Sequence, residues 1–430
     1  STLMRSSAAS DVYKRQCINI GCIPTKTLVH QAKIASGMKD ATFEERSEFY
    51  RNAISVKEAV TSALRNKNYH NLADNPNVTV YTGVGSFVSS DVVSVRTSTE
   101  EIMLTSKQII INTGAETVIP PIDGVAGNPL VYTSTSIMEL TELPRRLVII
   151  GGGYIGLEFA SMYASFGSQV TVLESYPELI VREDRDIAAS VKETLEKKGI
   201  VFRMNAKVQS VKHIEDGAVV VFSDSQTGEV VELEADAVLL ATGRRPNTKD
   251  LNLEVAGVET DARGAIIVDE YLKTTQPNIR AVGDVKGGLQ FTYISLDDYR
   301  IIREDLFGDK ERTTNDRNPV SYSVFIDPPL ARIGLNEEEA RKQNLDIIIK
   351  KLPVMAIPRA KTLGETDGLL KAVIDKNTGK ILGCILFAPD SSEVINIVAV
   401  AMKTGQDYTF LRDFIFTHPS MSEALNDLFS

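Results

Sequence analysis

Cys17 and Cys22, five positions apart in Cys17-Ile-Asn-Ile-Gly-Cys22 and followed at once by Ile23-Pro-Thr-Lys26, are the residues best suited to do chemistry in this chain. Cα atoms at i and i+5 of an ideal α-helix lie roughly 8–9 Å apart, whereas a disulfide needs them within about 7 Å. Joining the pair therefore requires an irregular turn, and Gly21 supplies the backbone freedom for one. Pro24 suits the first position of a following helix, predicted over residues 25–36. Cys22 then sits near a helix N-terminus, where the dipole favours a thiolate. Such a pair can open and close. Two other readings stay open at this point: inert buried thiols and a metal site. A metal site wants four ligands, against three cysteines and four scattered histidines (His30, His70, His213 and His418). Cys384, in the apolar run Ile381 to Phe387, reads as core.

A second motif binds phosphate. The buried-strand run Leu147-Val-Ile-Ile150 leads into Gly151-Gly-Gly153-Tyr-Ile-Gly156, then a helical stretch from Leu157 to Phe166, Gly167, and the strand Val170-Thr-Val-Leu-Glu174. A GxGxxG between strand and helix, with an acidic residue 18 positions beyond Gly156, is the dinucleotide-binding arrangement. Gly151 permits the tight turn, Gly153 admits the pyrophosphate, and Gly156 allows close helix packing. The phosphates meet the helix N-terminus. Glu174 is expected to accept hydrogen bonds from the adenine ribose hydroxyls, and no arginine follows it, so NADH is preferred over NADPH. Gly83-Val-Gly85 fails at the third glycine and is expected to be a hairpin turn.

These motifs occur in a fixed order with Ala241-Thr-Gly-Arg-Arg-Pro-Asn247, Ala281-Val-Gly-Asp284 and His418-Pro-Ser-Met-Ser-Glu423. From Cys17 to the C-terminus the chain resembles the class I pyridine-nucleotide–disulfide oxidoreductases, such as glutathione reductase, lipoamide dehydrogenase and mercuric reductase. Within them, Leu64-Arg-Asn-Lys-Asn-Tyr-His-Asn-Leu72 and Gly288 to Arg300 are similar to the bacterial reactive-chlorine-resistance branch, to which copper(II) reduction is ascribed. The resemblance implies an FAD-dependent NAD(P)H oxidoreductase. Electrons would pass from NADH through FAD to a Cys17–Cys22 disulfide and on to an acceptor: Cu(II), another oxidant, or a disulfide. The other class of function left open is a redox sensor without turnover.

The resemblance also implies roles. Cys22 is the thiolate against the flavin and Cys17 the outer exchanging thiol. Lys26 lies near the flavin and pairs with Glu158. Tyr154 gates the nicotinamide pocket, and Gly243 lies beside that nucleotide. Asp284 holds the FAD ribityl chain, while Thr292 and the Thr113-Gly114 turn contact the cofactor. His418, from the partner of a homodimer, is acid and base on the thiols, with Glu423 orienting its ring. Glu423 also fits a capping box, Ser420-Met-Ser-Glu423, for the last helix, and both roles can hold together. His418 precedes Pro419, so its backbone is expected to be extended.

The family opens with a strand, a glycine-rich turn and a helix that cradle the FAD pyrophosphate. Ser1 to Gln16 is polar, shows no strand pattern and cannot replace a unit of about 30 residues. It reads as foreign or misassembled sequence in place of a lost segment, so a longer natural product and weak FAD binding are expected. At the other end, Leu425 to Ser430 carries no vicinal cysteine pair, which argues against efficient mercuric reduction.

The elements that must position these residues fall into an α/β architecture. Residues 1–117 hold the remnant FAD domain, with helices over 25–36 and 44–66 and hairpin strands between Val78 and Asn112. Residues 118–245 form the NAD domain, with a three-strand insert around Val201 to Leu233. Residues 246–316 return to the FAD side, with a helix over 295–307. Residues 317–430 form an α/β interface domain with a hairpin turn at Asp375-Lys-Asn-Thr-Gly379 and a helix from Ser391 ending at Gly405 as C′. The two nucleotide domains should share a fold. A net charge of −10 offers no basic face to nucleic acid or anionic lipid, and no apolar run reaches the roughly 18 residues of a membrane span. Low cysteine usage fits a reducing compartment, hence the cytoplasm.

Overall fold

A computed structural model describes residues 4–6, 16–317 and 319–430, in two compact units. The first comprises Ser1–Thr27, Ala53–Val118 and Thr242–Arg317. Its centre is the run Ile109–Ile111, buried on both faces as expected of a parallel strand between layers. Ile279–Ala281 pairs parallel to it on one side and Met4–Ser6 on the other. Met4–Ser6 corrects the expectation of no strand before the cysteines: the short segment has no alternating pattern, and the open edge of Ile109–Ile111 decides its pairing. The rest of the expectation for Ser1 to Gln16 falls on residues 1–3 and 7–15, outside the described residues. An antiparallel meander follows, Val84–Phe87, Val92–Arg96 and Glu101–Thr105. Gly83-Val-Gly85 is therefore not a hairpin turn. Gly85 pairs with Val95 inside the first strand, and a Cβ on Gly83 would lie 2.5 Å from the Arg96 carbonyl oxygen. The glycine is required by a close backbone approach. Phe87, Val93, Ile109, Leu251 and Ile279 pack as the core of this unit.

The second unit comprises Leu28–Asn52, Ile119–Ala241 and Asn318–Ser430. Its first sheet is parallel, in the order Val201–Arg203, Gln169–Leu173, Arg146–Ile150, Ala237–Leu240, Val131–Thr133. It carries five strands, against three in the parallel sheet of the first unit among the described residues. Val201–Arg203 joins this sheet beside Gln169–Leu173. The antiparallel insert is instead Ala206–Ile214, Gly217–Asp224 and Val230–Ala235. The C-terminal sheet is antiparallel, Ser321–Val324, Leu330–Gly334, Ile381–Phe387, Leu369–Asp375, Ile347–Pro353. Helices Ser391–Lys403 and Ala424–Phe429 cover it over a core that includes the fully buried Cys384. Gly405, at φ +74°, donates its N–H to Met402 as the C′ residue.

Helices run longer than sequence signals suggested. Cys22–Ser36 begins three residues early and Phe43–Ala73 ends seven residues late. Thr42 and Glu45 form the start of the latter, exchanging backbone N–H and side-chain bonds as a capping box does. No helix among the described residues is long and apolar enough to cross a membrane.

Candidate active site

Gln16–Asn19 makes one helical turn, the chain breaks at Ile20 and Gly21, and Cys22 opens the next helix. The irregular turn falls where Gly21 placed it. Pro24 is the third residue of the helix, not its first, which is tolerated because first-turn N–H groups have no intrahelical partner. Thr25 ties the corner, its hydroxyl donating to the Gly21 carbonyl at 2.7 Å. Cys17 is half-buried and Cys22 exposed.

Thr292 is the first residue of the helix Thr292–Phe307, and its Oγ1 lies 3.2 Å from Cys22 Sγ. That helix starts three residues before the sequence suggested, which brings the hydroxyl to the sulfur. The Cys22 pKa is lowered to about 6. The hydrogen bond from Cys17 is the largest cause; burial opposes it, and Thr292 and the Lys26 charge add to it. A thiolate therefore predominates at neutral pH and is lost as pH falls through about 6. In the reduced protein, alkylation of Cys22 by iodoacetamide should be half-maximal near that pH. Thr292→Val should move the midpoint up by on the order of one unit, the worth of one hydrogen bond to a charge. An unmoved midpoint would show the threonine to be idle.

Around this corner the first unit gathers a polar cradle. Thr113 Oγ1 donates to the Asn247 carbonyl at 2.7 Å, and the Asn247 N–H returns to Gly114 O at 2.9 Å. Gly114 and Gly243 hold φ of +73° and +106°, values that favour glycine. Asp284 lies in the turn Gly283–Lys286 after the strand Ile279–Ala281. Burial raises its pKa, against the nearby charges of Arg244 and Lys286. Its carboxylate receives no hydrogen bond from the described residues, so its acceptors are available to hydroxyl donors. Those acceptors fit the hydroxyls of the sugar-alcohol chain expected of FAD. Arg244 was not singled out from the sequence, although Ala241-Thr-Gly-Arg-Arg-Pro-Asn247 contains it. Its guanidinium donates to the Ala115 carbonyl, and its pKa is lowered by burial while the Asp284 and Cys22 charges oppose.

In the second unit, Gly151 follows the strand Arg146–Ile150 at φ +111°. A Cβ on Gly156 would lie 2.0 Å from the Gly151 carbonyl oxygen. On Gly153 it would meet nothing within 4 Å, leaving the approach open to a phosphate. The helix Tyr154–Phe166 has no side-chain cap on its N-cap Gly153, so its first N–H groups can take an anion. Glu174 follows the strand Gln169–Leu173, where the fingerprint placed it. Its carboxylate accepts the Gly152 N–H at 2.7 Å and the Tyr176 N–H at 2.9 Å, bracing the turn. Within its unit, Glu158 accepts the Phe325 N–H at 2.7 Å; Lys26 belongs to the other unit. Tyr154 Oη bonds the buried Glu183 and lies 3.3 Å from Tyr322 Oη.

His418 Nδ1 lies 2.9 Å from both Glu423 carboxylate oxygens, which orients the ring. Ser420 Oγ accepts the Glu423 N–H at 3.2 Å, but the last helix starts at Ala424 with Glu423 as its N-cap and no side-chain cap, so the expected capping box does not form and the glutamate turns to the histidine instead. The His418–Pro419 peptide is cis. The histidine is largely exposed, two-thirds of its side chain reaching solvent.

Residues 3–298 match the family described as pyridine nucleotide-disulphide oxidoreductase, and residues 320–429 match its dimerisation domain. The chain belongs to this family of enzymes, which depend on FAD and draw electrons from NAD(P)H. It is 50% identical over 419 residues to the probable pyridine nucleotide-disulfide oxidoreductase RclA of Escherichia coli, covering 97% of this chain and 91% of that one. A mercuric reductase of Lysinibacillus sphaericus is 33% identical, over 95% of this chain and 74% of its own. The solved Cu(II) complex of the HOCl-induced flavoprotein disulfide reductase RclA from Escherichia coli superposes with a TM-score of 0.90 at 49% identity, over 97% of this chain and 90% of that one. The dimerisation domain supports a homodimer.

Proposed function

We propose that this chain is a homodimeric flavoprotein reductase that carries electrons from NADH to an oxidant through the Cys17–Cys22 couple, with Cu(II) as the favoured acceptor in defence against reactive chlorine. The observation that carries the reading is the low-pKa Cys22 thiolate, held at one helix N-terminus and bonded to a residue that opens another. Residues 1–117 and 246–316 form the FAD side, 118–245 the NAD domain and 317–430 the interface domain. Asp284, Thr292 and the Thr113-Gly114 turn would hold FAD, which when bound supplies the hydride-accepting chemistry between nicotinamide and sulfur. The turn Gly151, Gly153 and Gly156 takes the NADH pyrophosphate, Glu174 the adenine ribose, and Gly243 lies beside the nicotinamide. Lys26 keeps positive charge near the Cys22 thiolate.

With a disulfide acceptor, the Cys17 thiolate attacks one sulfur and the leaving thiolate takes a proton from His418 of the partner subunit, whose ring Glu423 orients. Cys22 then closes on Cys17 and expels the second thiol. With copper, two Cu(II) ions each accept one electron, leaving the Cys17–Cys22 disulfide and two Cu(I), the form soft thiolates favour. The relative's solved Cu(II) complex and HOCl induction support copper as acceptor.

Anaerobic dithionite titration of the holoenzyme should consume about four electrons per protomer, two at the flavin and two at the disulfide. Uptake of only two would sink the proposal. An exposed, low-pKa cysteine also suits a redox sensor. Steady-state NADH oxidation with Cu(II) separates the readings, since a sensor shows none.

A further inference from the structure

We propose that Glu183, together with Tyr322, is a latch that positions Tyr154 at the nicotinamide end of the dinucleotide turn, so that nucleotide binding must release it. The proposal rests on the reading of Tyr154 as the residue over the nicotinamide pocket. Glu183 ends the loop between the strand Gln169–Leu173 and the helix Arg185–Lys197, and its side chain is fully buried. One carboxylate oxygen, Oε1, accepts the hydroxyls of both Tyr154 and Tyr322. The two rings pack 5.9 Å apart.

The other oxygen, Oε2, has no hydrogen-bond partner among the described residues. Arg332 Nη1 stands 3.6 Å from it, while the same guanidinium donates to the Arg182 carbonyl at 2.9 Å and to Glu339. Burial, then the Glu183 charge, raises both tyrosine pKa values, so each hydroxyl keeps its proton and donates.

A buried carboxylate stripped of its donors is costly. Here the cost of releasing Tyr154 is limited, because Tyr322 and Arg332 stay on Glu183 when the ring leaves. The carboxylate is thus arranged for two states: Tyr154 bonded, or Tyr154 swung away with the charge still compensated. Tyr154 is also the first residue after Gly153, so its ring departs from the spot where a dinucleotide enters. A site whose competent state is only partly populated binds its ligand more weakly by that fraction.

Calorimetric titration of the holoenzyme with NAD+ tests this on Glu183→Gln, Tyr322→Phe, Tyr154→Phe and the double variant Y154F/E183Q. Glu183→Gln and Tyr154→Phe should each tighten the NAD+ dissociation constant by roughly three- to tenfold, the worth of a weakened charge-assisted bond, whereas Tyr322→Phe, which leaves the carboxylate more dependent on Tyr154, should weaken binding by a similar factor. The double variant should match Tyr154→Phe alone, because both changes break the same contact. KM for NADH should move in step with each dissociation constant, without a rise in kcat.

Tighter binding in Tyr154→Phe with no tightening in Glu183→Gln and no weakening in Tyr322→Phe would overturn the latch while sparing the gate. Unchanged binding in Tyr154→Phe would overturn the gate and the latch with it. Should Glu183→Gln fail to fold, Tyr322→Phe carries the test alone, since it leaves the buried carboxylate and Arg332 in place.

Discussion

Cys22→Ser should yield a yellow protein that still passes electrons from NADH to a flavin-level dye yet reduces Cu(II) or a disulfide about a thousandfold more slowly, the scale of losing an activated nucleophile. Serine keeps the helix start and the hydrogen-bond capacity toward Thr292, which sits 3.2 Å from the sulfur. It cannot ionise near neutral pH, and it cannot form a bond with Cys17. Dye reduction therefore reports nucleotide and cofactor binding, while acceptor reduction reports the sulfur couple. The same variant should take up about two electrons under dithionite, half the uptake of the parent. Undiminished turnover of the metal by Cys22→Ser would mean that the flavin reduces it directly.

Lys371→Ala should cost about 3–5 kcal/mol of stability, the scale of removing one partner from a buried ionic cluster. Lys371 lies in the strand Leu369–Asp375 and is 1% exposed. Its ammonium sits 2.8 Å from Asp184, 2.7 Å from Glu337 and 3.1 Å from Asp186. Asp184 also accepts the Glu337 N–H at 3.1 Å, so one cation anchors the starts of two helices to the C-terminal sheet. Deleting it leaves acidic groups facing each other, with Lys351 2.6 Å from Asp186 and Arg341 2.7 Å from Glu337 as partial compensation.

The pH dependence has a definite sign. The carboxyl pKa values of Asp186 and Glu337 are lowered, the first against the opposing effect of its own burial and through Lys351 and Lys371, the second chiefly by Lys371. Their contribution is present above the ordinary carboxylate pKa of about 4 and is lost as pH falls through the lowered values. The lysine pKa is raised: burial opposes this, but Asp184 and Glu337 outweigh it, so the cation persists across neutral pH. Denaturant melts at neutral pH should show the full deficit, and melts below pH 4 a smaller one. An equal deficit at both would show the loss to be packing alone.

The sequence by itself determined the chemistry-bearing corners, because each depends on contacts within a few residues. Cys22 at a helix start, the Gly151 to Gly156 turn with its glutamate, and Gly405 as C′ follow from local backbone requirements that few residue types meet. Cys384 in the core followed from its apolar run.

What lay beyond reach was set by partners far along the chain. The Thr292 hydroxyl reaches a sulfur 270 positions away, and Met4–Ser6 becomes a strand only because Ile109–Ile111 leaves an edge open. Gly83 read as a turn because its true reason, the Arg96 carbonyl on a neighbouring strand, is invisible locally. No local signal in the sequence marks Glu183; only packing buried it, and only the tertiary structure brought Tyr154, Tyr322 and Arg332 around it. Local rules specify which conformations a segment can take, but burial and long-range pairing specify which charges must find partners, and those energies exist only once the chain is folded.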